Sequence, residues 1–140
     1  MLFLRVHNNQ RTFLRKPDWG ELYWFDFGYP SSGQRAFAGV HPALVIALRQ
    51  LILPGTALII PPSSAEHRRE GYLCHVLVNK QECPCLDKGS IVKVDQVYCV
   101  PTNELPDQYF IGTVPLPAMR RIYAELLRVL GAGKFAPTGR

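Results

Sequence analysis

Apolar and polar positions divide the chain into short runs separated by turn residues. From Gly20, the stretch Glu21-Leu22-Tyr23-Trp24-Phe25-Asp26-Phe27 is rich in aromatic residues with acidic groups near both ends, which predicts a first core strand ended by Gly28. Residues 29–39 hold Pro, a Ser pair, Gly, Gln and Arg without a period and predict an irregular loop. Continuous apolar runs at residues 42–47 and 57–60, with Pro54-Gly55 turning the chain between them, predict two buried strands. After Pro61-Pro62 the polar segment 63–70 predicts a second exposed loop, and residues 73–78 a further strand. Residues 90–100 alternate apolar with polar in places and predict one long strand that Pro101 stops.

The clearest period comes last. Met119, Ile122, Tyr123, Leu126, Leu127 and Leu130 recur on one helical face, while Arg120, Arg121, Glu125 and Arg128 point elsewhere, and Gly131 stands where a C-terminal cap belongs. One amphipathic helix closing five or six strands predicts an α+β, mostly β, antiparallel barrel-like fold. The expected organisation is a basic extension at 1–16, one domain at 17–131 and a short tail at 132–140.

A chain of 140 residues with 47% hydrophobic and 19% charged residues is long enough to bury a real core in one domain. The formal net charge of +5 suits a polyanionic partner, since Lys and Arg near phosphates gain affinity through counterion release, although many basic surfaces are only solvated. No run approaches the roughly 18 apolar residues that span a bilayer. Arg5, His7 and Arg11 interrupt the apolar start, so no signal peptide is expected and the predicted setting is soluble and cytoplasmic. There Cys74, Cys83, Cys85 and Cys99 would stay reduced. Together with His75 they contain a zinc ligand set, but Cys83-Pro84-Cys85 lacks the two-residue knuckle of structural zinc sites, so the expectation is free thiols and no metal or other cofactor.

Three colinear pieces resemble the MazF/PemK toxin family of type II toxin-antitoxin systems. The first is the strand from Gly20, its loop, and Gly39-Val40-His41-Pro42-Ala43-Leu44-Val45-Ile46, similar to that family's G-x-R-P-A-L-V-I strand. The second is Ala57-Leu58-Ile59-Ile60-Pro61-Pro62-Ser63-Ser64, similar to a strand ending in a Thr-Ser or Thr-Thr pair. The third joins residues 90–97 and Ile111-Gly112-Thr113-Val114 to the helix ending at Leu130-Gly131. The resemblance implies an SH3-like antiparallel barrel of the CcdB/MazF type, acting as a homodimeric, metal-independent endoribonuclease (an mRNA interferase). Its implied substrate is single-stranded RNA, its products a 2′,3′-cyclic phosphate and a 5′-hydroxyl, and its implied partner a cognate antitoxin.

Two departures bear on the chemistry the resemblance implies. The family's Arg before Pro is His41 here, and its Thr is Ser63. Imidazole can take and give protons near neutral pH but does not offer the permanent guanidinium fork, whereas a Ser hydroxyl can still donate to phosphate. His41 and Ser63 are therefore the candidate catalytic residues, against the plainer readings of a backbone-bonded His and a turn-forming Ser. Gln34, Arg35, Phe37, Ser64, His67, Arg68 and Arg69 are candidate RNA contacts, with Arg35 able to restore the missing positive charge and Phe37 or Tyr29 able to stack a base. Trp24, Phe25 and Phe27 are expected in the core, and Asp95-Gln96 as a buried polar pair bonded to backbone. The alternative is a CcdB-like toxin or a binding module of the same fold, non-catalytic because the motif arginine is gone.

Overall fold

Pro61 decides how the strands are shared between two sheets. It follows β3 (Thr56–Ile60) directly and, having no N–H to donate, cannot extend that strand's ladder. The chain leaves the first sheet there and enters the second as β4 (Pro62–Ser64). A computed structural model describes residues 17–28, 39–64 and 74–135. Among them β1 (Glu21–Asp26), β2 (Val40–Val45), β5 (His75–Val78), β6 (Ser90–Lys93), β7 (Tyr98–Pro101), β8 (Phe110–Thr113) and the helix α1 (Leu116–Val129) complete the fold. The five-stranded sheet has the order β7-β3-β2-β1-β8 and the three-stranded sheet β4-β6-β5, every pairing antiparallel.

Among the described residues there are eight strands where the pattern predicts five or six, and the chain is split between strands at two places the pattern does not mark. One split is at Pro61, so Ser63 and Ser64 lie on a strand rather than in an exposed loop. The other falls inside residues 90–100, where the Gln96 N–H donates to the Lys93 carbonyl at 3.1 Å and closes a turn. Beyond it β7 pairs with β3 in the other sheet, Cys99 opposite Leu58 and Tyr98 opposite Ile59. This turn contains neither Gly nor Pro, and its Val94 is fully buried, so the apolar pattern runs straight through it.

The first sheet is covered on both faces, which explains its continuous apolar runs. Leu22, Leu44 and Ile60 face one core cluster with Val92, Met119 and Ile122, while their neighbours Tyr23, Val45 and Ile59 face a second cluster with Val100 and Leu105. The strand period of two sorts these residues between the faces. Helix α1 closes the first cluster with Ala118, Met119, Ile122 and Leu126, and burying side chains such as Met119 and Ile122 contributes about 1.5–3 kcal/mol each.

The buried stripe is narrower than the sequence period suggests. Tyr123, Leu127 and Leu130 are 41%, 43% and 66% exposed, and Tyr123 meets the edge of Trp19 with ring centroids 6.3 Å apart. Pro117 is tolerated in the first helical turn, where an N–H would lack a partner. Gly131, at φ +82°, takes the left-handed conformation that ends the helix, its N–H donating to Arg128 at 3.1 Å. Among the described residues no helix is long and apolar enough to cross a membrane.

Candidate active site

Strand β2 changes character along its length. Leu44 and Val45 pair with β3 on one side, and Leu44 also pairs with β1 on the other; His41 and Pro42 pair only with Phe25 and Trp24 of β1. Proline is accommodated because β3 has already left the sheet at that point. His41 is thus carried, half-buried, on the outer half of the strand. Ser63 comes from the second sheet, opposite Ile91 of β6. Both residues line one cavity of about 530 Å³, together with Trp24, Ser64, Cys85, Asp87 and Lys88.

Ser63 is 5% exposed, and its Oγ is buried without a hydrogen-bond partner among the described residues. An unsatisfied buried hydroxyl costs about 1–3 kcal/mol. An acceptor entering the cavity can remove that cost. Ser64 is half-buried at the end of β4 and lines the same cavity.

Two charged groups at the cavity are absent from the sequence-based set. Asp87 and Lys88 reach it from the connection between β5 and β6. That connection is held at both ends. Arg121 of α1 forms a forked ion pair with Glu82, at 2.5 and 2.7 Å, and donates to the Leu77 carbonyl at 3.3 Å. This guanidinium holds the Glu82 carboxyl below its ordinary pKa. At the far end the Ser90 hydroxyl donates to the Lys88 carbonyl at 3.2 Å. The available sequence signal was a charged pair followed by Gly89 just before a strand.

Trp24 corrects its assignment to the core. It is 40% exposed and lines both this cavity and a neighbouring one of about 510 Å³ with Asp26, Glu104 and Tyr109. Its neighbours Phe25 and Phe27 do pack on the second core cluster, with their ring centroids 4.7 Å apart. Tyr29, Gln34, Arg35 and Phe37, and likewise His67, Arg68 and Arg69, lie outside the described residues.

Asp95 is exposed rather than part of a buried pair, while the Gln96 Oε1 is buried with no partner among the described residues. The four cysteines are free thiols. They do not assemble into the ligand set their sequence suggests: Cys74 and His75 gather with Asp95, ligand atoms within 4.8 Å of one another. Burial, and then Asp95, push the Cys74 thiol pKa up. Cys83 and Cys85 form a pair of their own with sulfurs 3.4 Å apart, and Cys99 is exposed on β7.

A small, mostly antiparallel β domain with one C-terminal helix, and a cavity where its two sheets meet, defines the class of protein. The chain belongs to the PemK-like, MazF-like toxins of type II toxin-antitoxin systems, whose family model matches residues 18–130. A mycobacterial endoribonuclease solved with its cognate antitoxin is similar at 21% identity and a TM-score of 0.62, over 88% of this chain and 99% of its own. MazF from Deinococcus radiodurans is similar at 20% identity and a TM-score of 0.63, over 83% and 97%. The Mycobacterium tuberculosis toxin MazF-mt6 is similar at 13% identity and a TM-score of 0.56, over 79% and 95%. These likenesses define the fold. No curated protein matches the sequence.

Proposed function

We propose that this toxin is an endoribonuclease that cuts single-stranded RNA without a divalent metal, leaving a 2′,3′-cyclic phosphate and a 5′-hydroxyl. The observation that carries the reading is that His41, from one sheet, and the buried, unpartnered Ser63 hydroxyl, from the other, line one cavity. Solved structures of the same fold are named endoribonucleases, which supports the same activity here.

In this scheme the neutral His41 imidazole takes the proton of the 2′-hydroxyl, whose oxygen attacks the adjacent phosphorus. The Ser63 hydroxyl donates to a non-bridging phosphate oxygen, where charge builds as the fifth bond forms. The Lys88 ammonium offsets that charge and gives a proton to the departing 5′-oxygen. Nucleophile, base, donor and acid are all supplied by RNA and side chains, so the scheme calls for no bound ion. Trp24, beside the cavity, offers a face on which a flanking base can stack. Ser64, at the cavity, and the residues Gln34, Arg35, Phe37, His67, Arg68 and Arg69, which lie outside the described residues, are the further RNA contacts of this reading. The toxin works as a cytoplasmic homodimer and is held inactive by a cognate antitoxin whose acidic segment covers the basic surface.

The test is cleavage of a single-stranded RNA by purified protein in excess chelator. The expected products have 5′ ends that ligate only after kinase treatment and 3′ ends that resist extension until the phosphate is removed. Full activity in both His41→Ala and Ser63→Ala would falsify the mechanism, as would cleavage only on addition of Mg²⁺.

A further inference from the structure

Cys83 and Cys85 have no role in that scheme, yet one of them lines the catalytic cavity. Their geometry is set by a turn. The Leu86 N–H donates to the Cys83 carbonyl at 3.1 Å, with Pro84 at the second position, where its fixed φ favours a tight reversal. The Cys83 N–H donates to the Asn79 carbonyl at 3.1 Å, and the Asn79 side chain accepts from Glu82 at 2.8 Å, so the turn is anchored ahead of the first thiol. The result is two sulfurs 3.4 Å apart with unlike surroundings. Cys83 is fully buried in the first core cluster, whereas Cys85 is half-buried and reaches the cavity.

Strand β8 gives Cys85 a close seat. A Cβ at Gly112 would come within 2.6 Å of the Cys85 Cβ and 2.8 Å of its Sγ, so only glycine leaves room for this side chain. Any shift of the sulfur therefore alters the wall of the cavity that also contains His41 and Ser63.

We infer that Cys83 and Cys85 are an oxidation site, a dithiol that hydrogen peroxide converts to a disulfide, and that the disulfide lowers RNA cleavage by reshaping the cavity wall. Peroxide is small enough to enter the cavity and meets Cys85 first. The Cys85 thiolate attacks one peroxide oxygen, the O–O bond breaks, and the departing hydroxide takes a proton to leave as water; Cys85 becomes a sulfenic acid. The Cys83 sulfur then attacks the Cys85 sulfur, the S–O bond breaks, and the hydroxide leaves with the Cys83 proton as a second water. Two thiols and one peroxide give one disulfide and two waters. The sulfurs must close from 3.4 Å to about 2.05 Å, and residues two apart in a turn lie within the span that a disulfide bridges. Burial, and then the neighbouring Cys85, push the Cys83 thiol pKa up to about 12, so Cys83 is not the thiol that reacts first with peroxide.

The effect on cleavage rests on the endoribonuclease reading, whereas the thiol chemistry does not. Purified toxin is treated with hydrogen peroxide, alkylated, and digested with trypsin, which cuts after Lys80 and Lys88 and so places both thiols in the peptide 81–88. The expected result is a peptide that resists alkylation, is about 2 Da lighter than its reduced form, and is restored by a thiol reductant. RNA cleavage should fall about ten- to hundredfold, as sub-ångström to ångström shifts in an active site do, and recover on reduction. Cys83→Ala should abolish the mass loss, since the Cys85 sulfenic acid then has no second thiol in the peptide to condense with. Exposed Cys99 is the internal standard. Oxidation of Cys99 while both thiols of 81–88 still alkylate overturns the proposal, and a disulfide with unchanged cleavage overturns its effect on activity. Reduced protein that cuts no RNA strikes the endoribonuclease reading alone, while the peptide mass still decides the thiol pair.

Discussion

The five-stranded sheet carries His41 to the cavity on a strand half that pairs only with β1, whereas the three-stranded sheet carries Ser63 as a buried side chain paired across to β6. The difference matches what the proposed mechanism asks of each group. A base that takes a proton and turns it over needs solvent access and some freedom, while a donor to a developing charge works best when fixed in advance. Pro42 and Pro61 produce both situations, the first tolerated because the ladder beside it is already open, the second because it forces the chain into the other sheet.

Substitutions can break this contrast. The largest effect is expected from His41→Ala, a loss of about 10²–10⁴ in kcat with little change in melting temperature, measured by single-turnover RNA cleavage. Ser63→Ala should reduce kcat by about 10²–10³ yet leave the protein as stable or more so, because a buried hydroxyl without a protein partner is removed. A marked loss of stability in Ser63→Ala would show that the hydroxyl is structural and that the two sheets do not differ as described. Lys88→Met should weaken cleavage about tenfold and reduce the salt dependence of RNA binding by roughly one charge, read from titrations over a range of salt.

Smaller effects sharpen the role of the β5–β6 connection. Gly112→Ala should destabilise the fold by about 1–3 kcal/mol in denaturant unfolding, since its methyl would overlap Cys85. Glu82→Gln removes the partner of Arg121, an exposed pair worth at most about 1 kcal/mol. The Glu82 carboxyl has a lowered pKa when folded, so its contribution is present above the unfolded carboxylate pKa and fades as pH falls through the folded one. The gap in melting temperature between wild type and Glu82→Gln should therefore close on acidification from neutral pH. A gap that stays constant would mean the carboxylate does not anchor the connection.

Much of the fold could be read from the sequence because both faces of the first sheet are covered. Runs such as 42–47 and 57–60 had to be apolar at every position, and a continuous apolar run is visible without knowing its partners. Helix α1 was legible for the opposite reason, its single covered face imposing a period, although Tyr123 and Leu127 share that period without sharing the burial. The turn at 93–96 was hidden because buried Val94 serves both as a turn residue and as core. His41 and Ser63 were found through a resemblance to a family motif, and nothing in their local patterns places them on one cavity. Lys88 and the exposure of Trp24 depend on which strands lie side by side, information carried by contacts between distant residues.

Dividing the cavity between two sheets makes this toxin's activity a reporter of how well those sheets stay docked. Warming or mild denaturant that loosens the seam separates His41 from Ser63 while each strand keeps its own ladder. Inactivation should then precede the loss of β-sheet signal in circular dichroism. An RNA long enough to touch both sheets should hold the seam closed and delay that inactivation.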